Sequence, residues 1–201
     1  MAPRARKATD EDVFCAVIQA ISRLGPQRMT LGDVAREVGV TAGALVQRFG
    51  SKRDLLLAAI RHYNVTPGEH FTGFRTAHRS PLDALFGYGA HAARAFGTPE
   101  ELANQLAMLQ LDVTDPDFRA EAVRFFQAER ELFRGWLREA VEAGELAPEA
   151  DPERLAAAIQ SMFNGGRFLW VLLEDRTPED AARQELETLL APYRRAPSRP
   201  R

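Results

Sequence analysis

The sequence predicts an all-α protein, a small helical head followed by a larger helical domain, with about nine helices in all. Three observations predict it. Apolar residues recur at helical spacing along most of the chain, with no convincing alternation of period two. Most helix starts carry a capping residue or a turn, several with proline near the first helical position. Between Met29 and Leu56, two short capped helices are joined by a glycine turn and run on into a third.

The chain opens with MAPRARKA, residues 1–8, in which Arg4, Arg6 and Lys7 follow no periodicity. This segment is expected to be a disordered basic arm, either solvated or laid along a polyanion. Thr9 or Asp10 caps a first helix over 9–24, and Asp10, Glu11 and Asp12 suit its positive end. Val13, Val17, Ala20, Ile21 and Leu24 form its buried stripe, and Gly25-Pro26 stops it. Cys15, the one cysteine, reads as a small core residue of this helix. A single cysteine excludes an intrachain disulfide and a cysteine-rich zinc site.

Thr30 and Asp33 stand in capping-box spacing at the second helix. Leu31, Val34, Ala35 and Val38 make its inward face, and Gly39 ends it. Thr41 caps the next helix, in which only Leu45 and Phe49 are core anchors. Its other side carries Ala42, Gly43, Val46 and Gln47, mostly small and uncharged. Such a face at a helix N-terminus lets the backbone approach another molecule closely. In a helix-turn-helix that molecule is the major groove of DNA, read by the N-terminal residues of the second helix. Ser51 caps a further helix opening Lys52-Arg53-Asp54, a helix N-terminus beside a lysine and hence a phosphate site. It is expected to run to about Tyr63, with Leu55, Leu56, Ala59 and Ile60 inward.

The pattern Thr30–Asp33–Val34–Ala35, Gly39-Val40-Thr41, Gly43, Leu45, Phe49, Ser51-Lys52, Leu55 resembles the N-terminal domain of the TetR family, the tetracycline-repressor-like transcriptional regulators. The resemblance is close over residues 10–62; the remainder is similar in size and helical character. It implies a homodimer whose two 41–49 helices enter major grooves about one turn (~34–36 Å) apart on a palindromic operator. Gln47 would pair with adenine, Val46 and Ala42 would touch thymine methyls, and Gly43 would allow close approach. Thr30, Thr41, Lys52 and Arg28 would position the backbone. The family usually has Tyr where this chain has Val46, and often His or Tyr where it has Arg48. Arg48 is expected to hold the phosphate in its place, or to pair with guanine.

Charge is uneven. Residues 1–64 hold ten Lys/Arg against six Asp/Glu, a net of +4, and residues 65–201 hold sixteen against twenty-two, a net of −6. Only the first third is suited to a polyanion. Pro67 and Gly68 mark a domain boundary, giving an arm (1–8), a DNA-binding head (9–64), a helical domain (65–195) and a disordered tail (196–201). Residues 69–79 are ambiguous. Beyond them, starts at Pro81, Pro99, Pro116, Pro152 and Pro178 open helices expected to end near Phe96, Leu111, Ala143, Glu174 and Leu190.

The last two helices carry apolar residues on more than one face. Leu155, Ile159, Met162, Gly166, Leu169, Trp170, Leu186, Leu189 and Leu190 are expected to form a dimer interface, as the resemblance implies. The middle helices are rich in large side chains. Phe74, His78, Tyr88, His91, Met108, Phe125, Phe126, Phe133 and Trp136, with Phe163, are expected to line an effector pocket for a small apolar or aromatic molecule. The function expected is a ligand-responsive repressor released from its operator by that molecule. Its partners would be double-stranded DNA, a second copy and the effector, with no cofactor, no metal and no membrane. Apolar content of 45% is ordinary for a soluble globular protein, the N-terminus lacks an apolar stretch, and runs such as Phe168–Leu173 are too short to span a bilayer. A cytoplasmic setting fits. The alternatives are a helical adaptor of the same fold without specific DNA binding, and a small all-α enzyme. HExxH, GxSxG, P-loop and GxGxxG patterns are all missing.

Overall fold

The computed structural model describes residues 8–65, 73–95, 97–173 and 176–194. The arm residues 1–7, the tail from 195, Phe71 and Phe96 lie outside them. Ten α-helices are defined among the described residues, 73–76 adds a short helical stretch, and no strand forms there beyond a single bridge between Leu146 and Arg194.

The chain forms two compact units. The first gathers everything up to Val65 and adds Glu100–Ala122. It opens with α1 (Asp10–Arg28), held by a full capping box between Thr9 and Asp12. Gly25, at φ 74°, breaks the helical path before Pro26, so the last turn of α1 is offset from the rest. Cys15 is exposed, unlike its expected place in the core. It lies off the stripe of Val13, Val17 and Ala20, and the Tyr63 hydroxyl donates to its Sγ at 3.2 Å. Three helices follow: α2 (Leu31–Val38), α3 (Ala42–Phe49) and α4 (Lys52–Val65). Val13, Val17, Ala20, Met29, Val34, Leu45, Leu55 and Ala59 make their shared core.

Two further helices, α6 (Pro99–Leu106) and α7 (Met108–Thr114), belong mostly to this unit. The single helix expected here is interrupted at Ala107, gently. That residue keeps φ −63° and ψ −15°, and its N–H still bonds to the Ala103 carbonyl. Polar pairs tie the segment to the head. Asn104 Nδ2 donates to the carbonyls of Ser22 and Arg23 at 3.0 and 3.1 Å. Arg53 forks onto Asp115 at 2.8 and 2.7 Å and reaches Asp117 at 2.7 Å. Arg61 Nε meets the buried Glu121 at 2.8 Å, and Phe118 is 1% exposed in the same core. The head assigned from sequence to residues 9–64 thus packs as one body with a later stretch of chain.

The second unit contains α5 (Pro81–Arg94), most of α8 (Pro116–Glu142), α9 (Pro152–Leu173) and α10 (Pro178–Leu190), followed by a 3-10 turn at Ala191–Tyr193. Five of these late helices, α6 included, begin at the proline the sequence indicated, where the missing N–H costs nothing. Leu82, Leu85, Phe133, Leu137, Leu146, Leu155, Ile159, Leu186 and Leu190 fill the core. Gly89 lets α5 come close: a Cβ there would lie 2.9 Å from Phe163 Cζ.

Candidate nucleic-acid interface

The two helices of the turn motif are fixed at both ends. Thr30 Oγ1 accepts from the Asp33 N–H at 3.2 Å, while Asp33 accepts from the Thr30 N–H at 2.9 Å and its hydroxyl at 2.6 Å. These bonds hold the Asp33 carboxyl below its ordinary pKa. Gly39 sits in the left-handed region at φ 70°, as the turn requires, and Thr41 Oγ1 accepts from Ala44 N at 3.1 Å. Ser51 and Asp54 repeat the capping box at α4, with Asp54 lowered mainly by the Ser51 hydroxyl. No single cap contributes more than about 0.5–2 kcal/mol, but together they fix the approach angle of α3.

On α3 itself Leu45 is buried, at 2% exposure, and Phe49 is half-buried. Thr41, Ala42, Gly43, Val46, Gln47 and Arg48 are all exposed, Val46 by 50%. The cations are arranged differently from expectation. Arg48 is turned back: Nη1 donates to the Ala8 carbonyl at 2.8 Å, the guanidinium pairs with Asp10, and it lies over the Phe49 ring at 5.1 Å. Lys52 Nζ donates to the Gln27 carbonyl at 2.9 Å, and Arg28 Nε to the Leu24 carbonyl at 2.9 Å. Both therefore brace the turn after Gly25.

In the second unit, Phe74 stacks on His78 at 4.5 Å and also meets Tyr88, His91 and Trp136. Tyr88 touches Phe133 at 5.2 Å and Phe163 at 6.2 Å. Seven of the ten residues expected around an effector thus form one aromatic network, although Tyr88, Phe133 and Trp136 are buried in it as core. Phe125 and Phe126 pair with each other, and Met108 packs against the core of the first unit. Sequence reasoning missed the polar centre beside this network. Tyr88 donates to Glu129 Oε1 at 2.7 Å, and Gln160 Nε2 donates to Glu129 Oε2 at 2.9 Å and to the Phe126 carbonyl at 2.8 Å. Arg130 meets Gln160 Oε1 at 2.9 and 2.7 Å. Glu129 and Gln160 are 7% and 4% exposed. Burial, then the Glu129 charge, pushes the Tyr88 hydroxyl up; burial lowers the Arg167 guanidinium while Glu129 acts the other way. A signal existed: Glu129 interrupts an apolar stripe, four residues before Phe133.

The residues expected at a dimer interface divide in two. Leu155, Ile159, Leu186 and Leu190 are at most 5% exposed within the chain itself, which leaves no surface for a second copy. Met162, Gly166, Trp170 and Leu189 are partly exposed, and Leu169 is 51% exposed. Beside Leu169 stand Phe168, Leu172 and Leu173, part of the same many-sided apolar helix and each more than half exposed.

Two family models match the chain. One, "Bacterial regulatory proteins, tetR family", covers residues 17–59, and the other, "Tetracyclin repressor-like, C-terminal domain", covers residues 106–186. The chain belongs to the TetR family. Its members are typically non-enzymatic, ligand-responsive DNA-binding repressors, and usually dimers. Comparison with curated proteins gives no match. Solved structures share the TetR fold at low identity. One, described as the molecular basis for control of antibiotic production by bacterial hormones, is 23% identical, with a TM-score of 0.74 over 94% of this chain and 100% of that one. SmeT, repressor of the Stenotrophomonas maltophilia multidrug efflux pump, is 20% identical, with a TM-score of 0.69 over 95% and 93%. FadR from Bacillus subtilis, in complex with stearoyl-CoA, is 16% identical, with a TM-score of 0.72 over 91% and 98%. Among the described residues no helix is long and apolar enough to cross a membrane, and no group of three metal-ligating side chains occurs.

Proposed function

We propose that this TetR-family protein is a homodimeric cytoplasmic repressor without enzymatic activity. It binds a palindromic operator and is released by a small apolar or aromatic effector. The observation that carries this reading is the outer face of α3. Thr41, Ala42, Gly43, Val46 and Gln47 are exposed together on a helix whose start and flanks are capped, while Leu45 anchors it from behind. Gln47 pairs with adenine, and Ala42 and Val46 meet thymine methyls. Thr30 and Thr41 stand beside phosphates, and Lys52 and Arg28 exchange their carbonyl partners for phosphate oxygens.

The dimer forms through α9. Phe168, Leu169, Leu172 and Leu173 crowd its C-terminal end, and a groove bounded by Ala158, Met162, Thr188 and Leu189 runs beside it. The effector enters the aromatic network around Phe74, Tyr88 and Phe163, where Glu129 and Gln160 supply its polar contacts. It releases DNA only by preferring a conformation that the operator does not.

The test is selection of bound fragments from a random duplex pool. The expected product is a palindrome with half-sites about one helical turn apart. No enrichment by a folded, dimeric preparation overturns the repressor in favour of a helical adaptor of the same fold.

A further inference from the structure

Arg130 of α8 spends two nitrogens on one atom. Its Nε and Nη2 reach Gln160 Oε1 of α9 at 2.9 and 2.7 Å. That edge of a guanidinium is a fork matched to the two oxygens of a carboxylate. Here it closes on a single uncharged oxygen. Gln160 is 4% exposed, so the fork of an otherwise exposed arginine ends on an interior atom. Glu129 next to it is engaged elsewhere, Oε1 by the Tyr88 hydroxyl at 2.7 Å and Oε2 by Gln160 Nε2 at 2.9 Å. Arg167 completes the set. It feels the Glu129 charge and donates to Asn164, whose Nδ2 donates to the Gln160 carbonyl at 2.8 Å. These bonds therefore join two cations to one acid. Phe126, one turn before Arg130, and Phe163, one turn after Gln160, flank them and are half-buried. A charge taken from water without a counter-charge is far more costly than a paired one.

We propose that the effector is an organic monoanion, an apolar or aromatic body carrying a carboxylate, and that Arg130 is the residue that selects its charge. The proposal rests on the effector reading above. The carboxylate takes the Arg130 fork in place of Gln160 Oε1 and balances the second cation. The body lies against Phe126 and Phe163. Phe163 also meets Tyr88 at 6.2 Å and Phe133 at 5.8 Å, so the apolar end continues into the aromatic network. An organic cation is the rival occupant, since aromatic faces beside a carboxylate suit one. It would have to displace the two donors already on Glu129 and would add to the positive excess. A purely structural role for Arg130, clamping α8 to α9, predicts no preference among ligands of equal shape.

The test titrates the full chain by calorimetry with three probes that share one body: phenylbutyrate, phenylbutanol and phenylbutylamine. The acid is expected to bind about tenfold or more tighter than the alcohol, and the amine weakest, because charge-assisted hydrogen bonds are roughly twice as strong as neutral ones. Arg130→Gln is expected to bring the acid down to the affinity of the alcohol. Arg130→Lys, which keeps the charge and loses the fork, is expected to fall between the two. Equal binding of acid and alcohol overturns the proposal, as does a folded chain that binds none of the probes at millimolar concentration. Tightest binding of the amine also overturns it and makes Glu129 the receptor of a cation. An Arg130→Gln chain that weakens all three probes alike leaves Arg130 a clamp and overturns its selecting role. The same probes are then added to the chain on its selected operator. Release by the alcohol alone keeps the effector reading and overturns the anion; binding of the acid without release keeps the anion site and removes the effector reading.

Discussion

Gln47 and Arg48 are neighbours on one helix, and their surroundings differ. Gln47 is exposed beside small residues, while Arg48 is engaged by Ala8 and Asp10. Gln47→Ala is expected to cost about 1–3 kcal/mol of discrimination at one base pair per half-site, with folding unchanged. Comparing affinities for the selected operator and its single-base variants checks this; identical preferences would remove Gln47 as a reader. In the second unit, Tyr88→Phe removes a donor from a carboxylate that is 93% buried or nearly so, as its 7% exposure implies. The expected loss is about 1–3 kcal/mol of stability, read from urea unfolding, because an orphaned buried acceptor keeps its desolvation cost. A midpoint equal to the parent's would mean that Gln160 and Arg167 satisfy Glu129 without the tyrosine. The exposure of Gln47 was legible in the sequence because its helix is short and one-sided. The tie on Arg48 was not, since its acceptor lies 40 residues away and no local pattern announces it.

Helix starts carry the acid sensitivity of the first unit. The carboxyls of Asp33, Asp54 and Asp115 are held below their ordinary value by Thr30, Ser51 and Arg53, respectively. A depressed carboxylate stabilises the fold fully above its unfolded pKa, about 3.9, and loses that contribution as pH falls through the lower folded value. These groups should therefore leave stability level from pH 7 to 5 and erode it below about pH 4. The double variant Asp33→Asn, Asp54→Asn should flatten the acid limb of the melting-temperature profile; a limb of unchanged steepness assigns the acid loss elsewhere. These starts were also the most readable part of the sequence, since Thr, Ser and Pro act within one turn of where they sit. Interruptions and buried acids were less so. Ala107 breaks a helix without any breaker residue, and Glu121 and Glu129 become interior only because other helices close over them.

For the whole molecule, periodicity reveals that a face is buried but not by which chain. Leu155, Ile159, Leu186 and Leu190 have the spacing of an interface, and they fill the chain's own core. The side chains left over, Phe168, Leu169, Leu172 and Leu173, are the ones that need cover. Leu169→Glu with Leu172→Glu is expected to give a folded monomer in sedimentation and to lose at least a hundredfold, about 2.7 kcal/mol, in affinity for a full palindrome. A stable dimer from that variant would move the interface off this end of α9. The fold class and the turn motif were readable in advance because they rest on contacts a few residues apart. The membership of Glu100–Ala122 in the first unit rests on Arg53, Arg61, Asn104 and Phe118 meeting partners roughly sixty to eighty residues away.

That membership bears on how such a head can be exchanged. A graft cut at Val65 would carry the reading helix but leave behind Phe118 and the acids that match Arg53 and Arg61. The transplanted head would arrive with an open seam and two stranded guanidinium groups. Recombination between relatives that respects this architecture needs three crossovers, one after α4, one at the start of α6 and one within the first turns of α8, so the head is inherited as a discontinuous module.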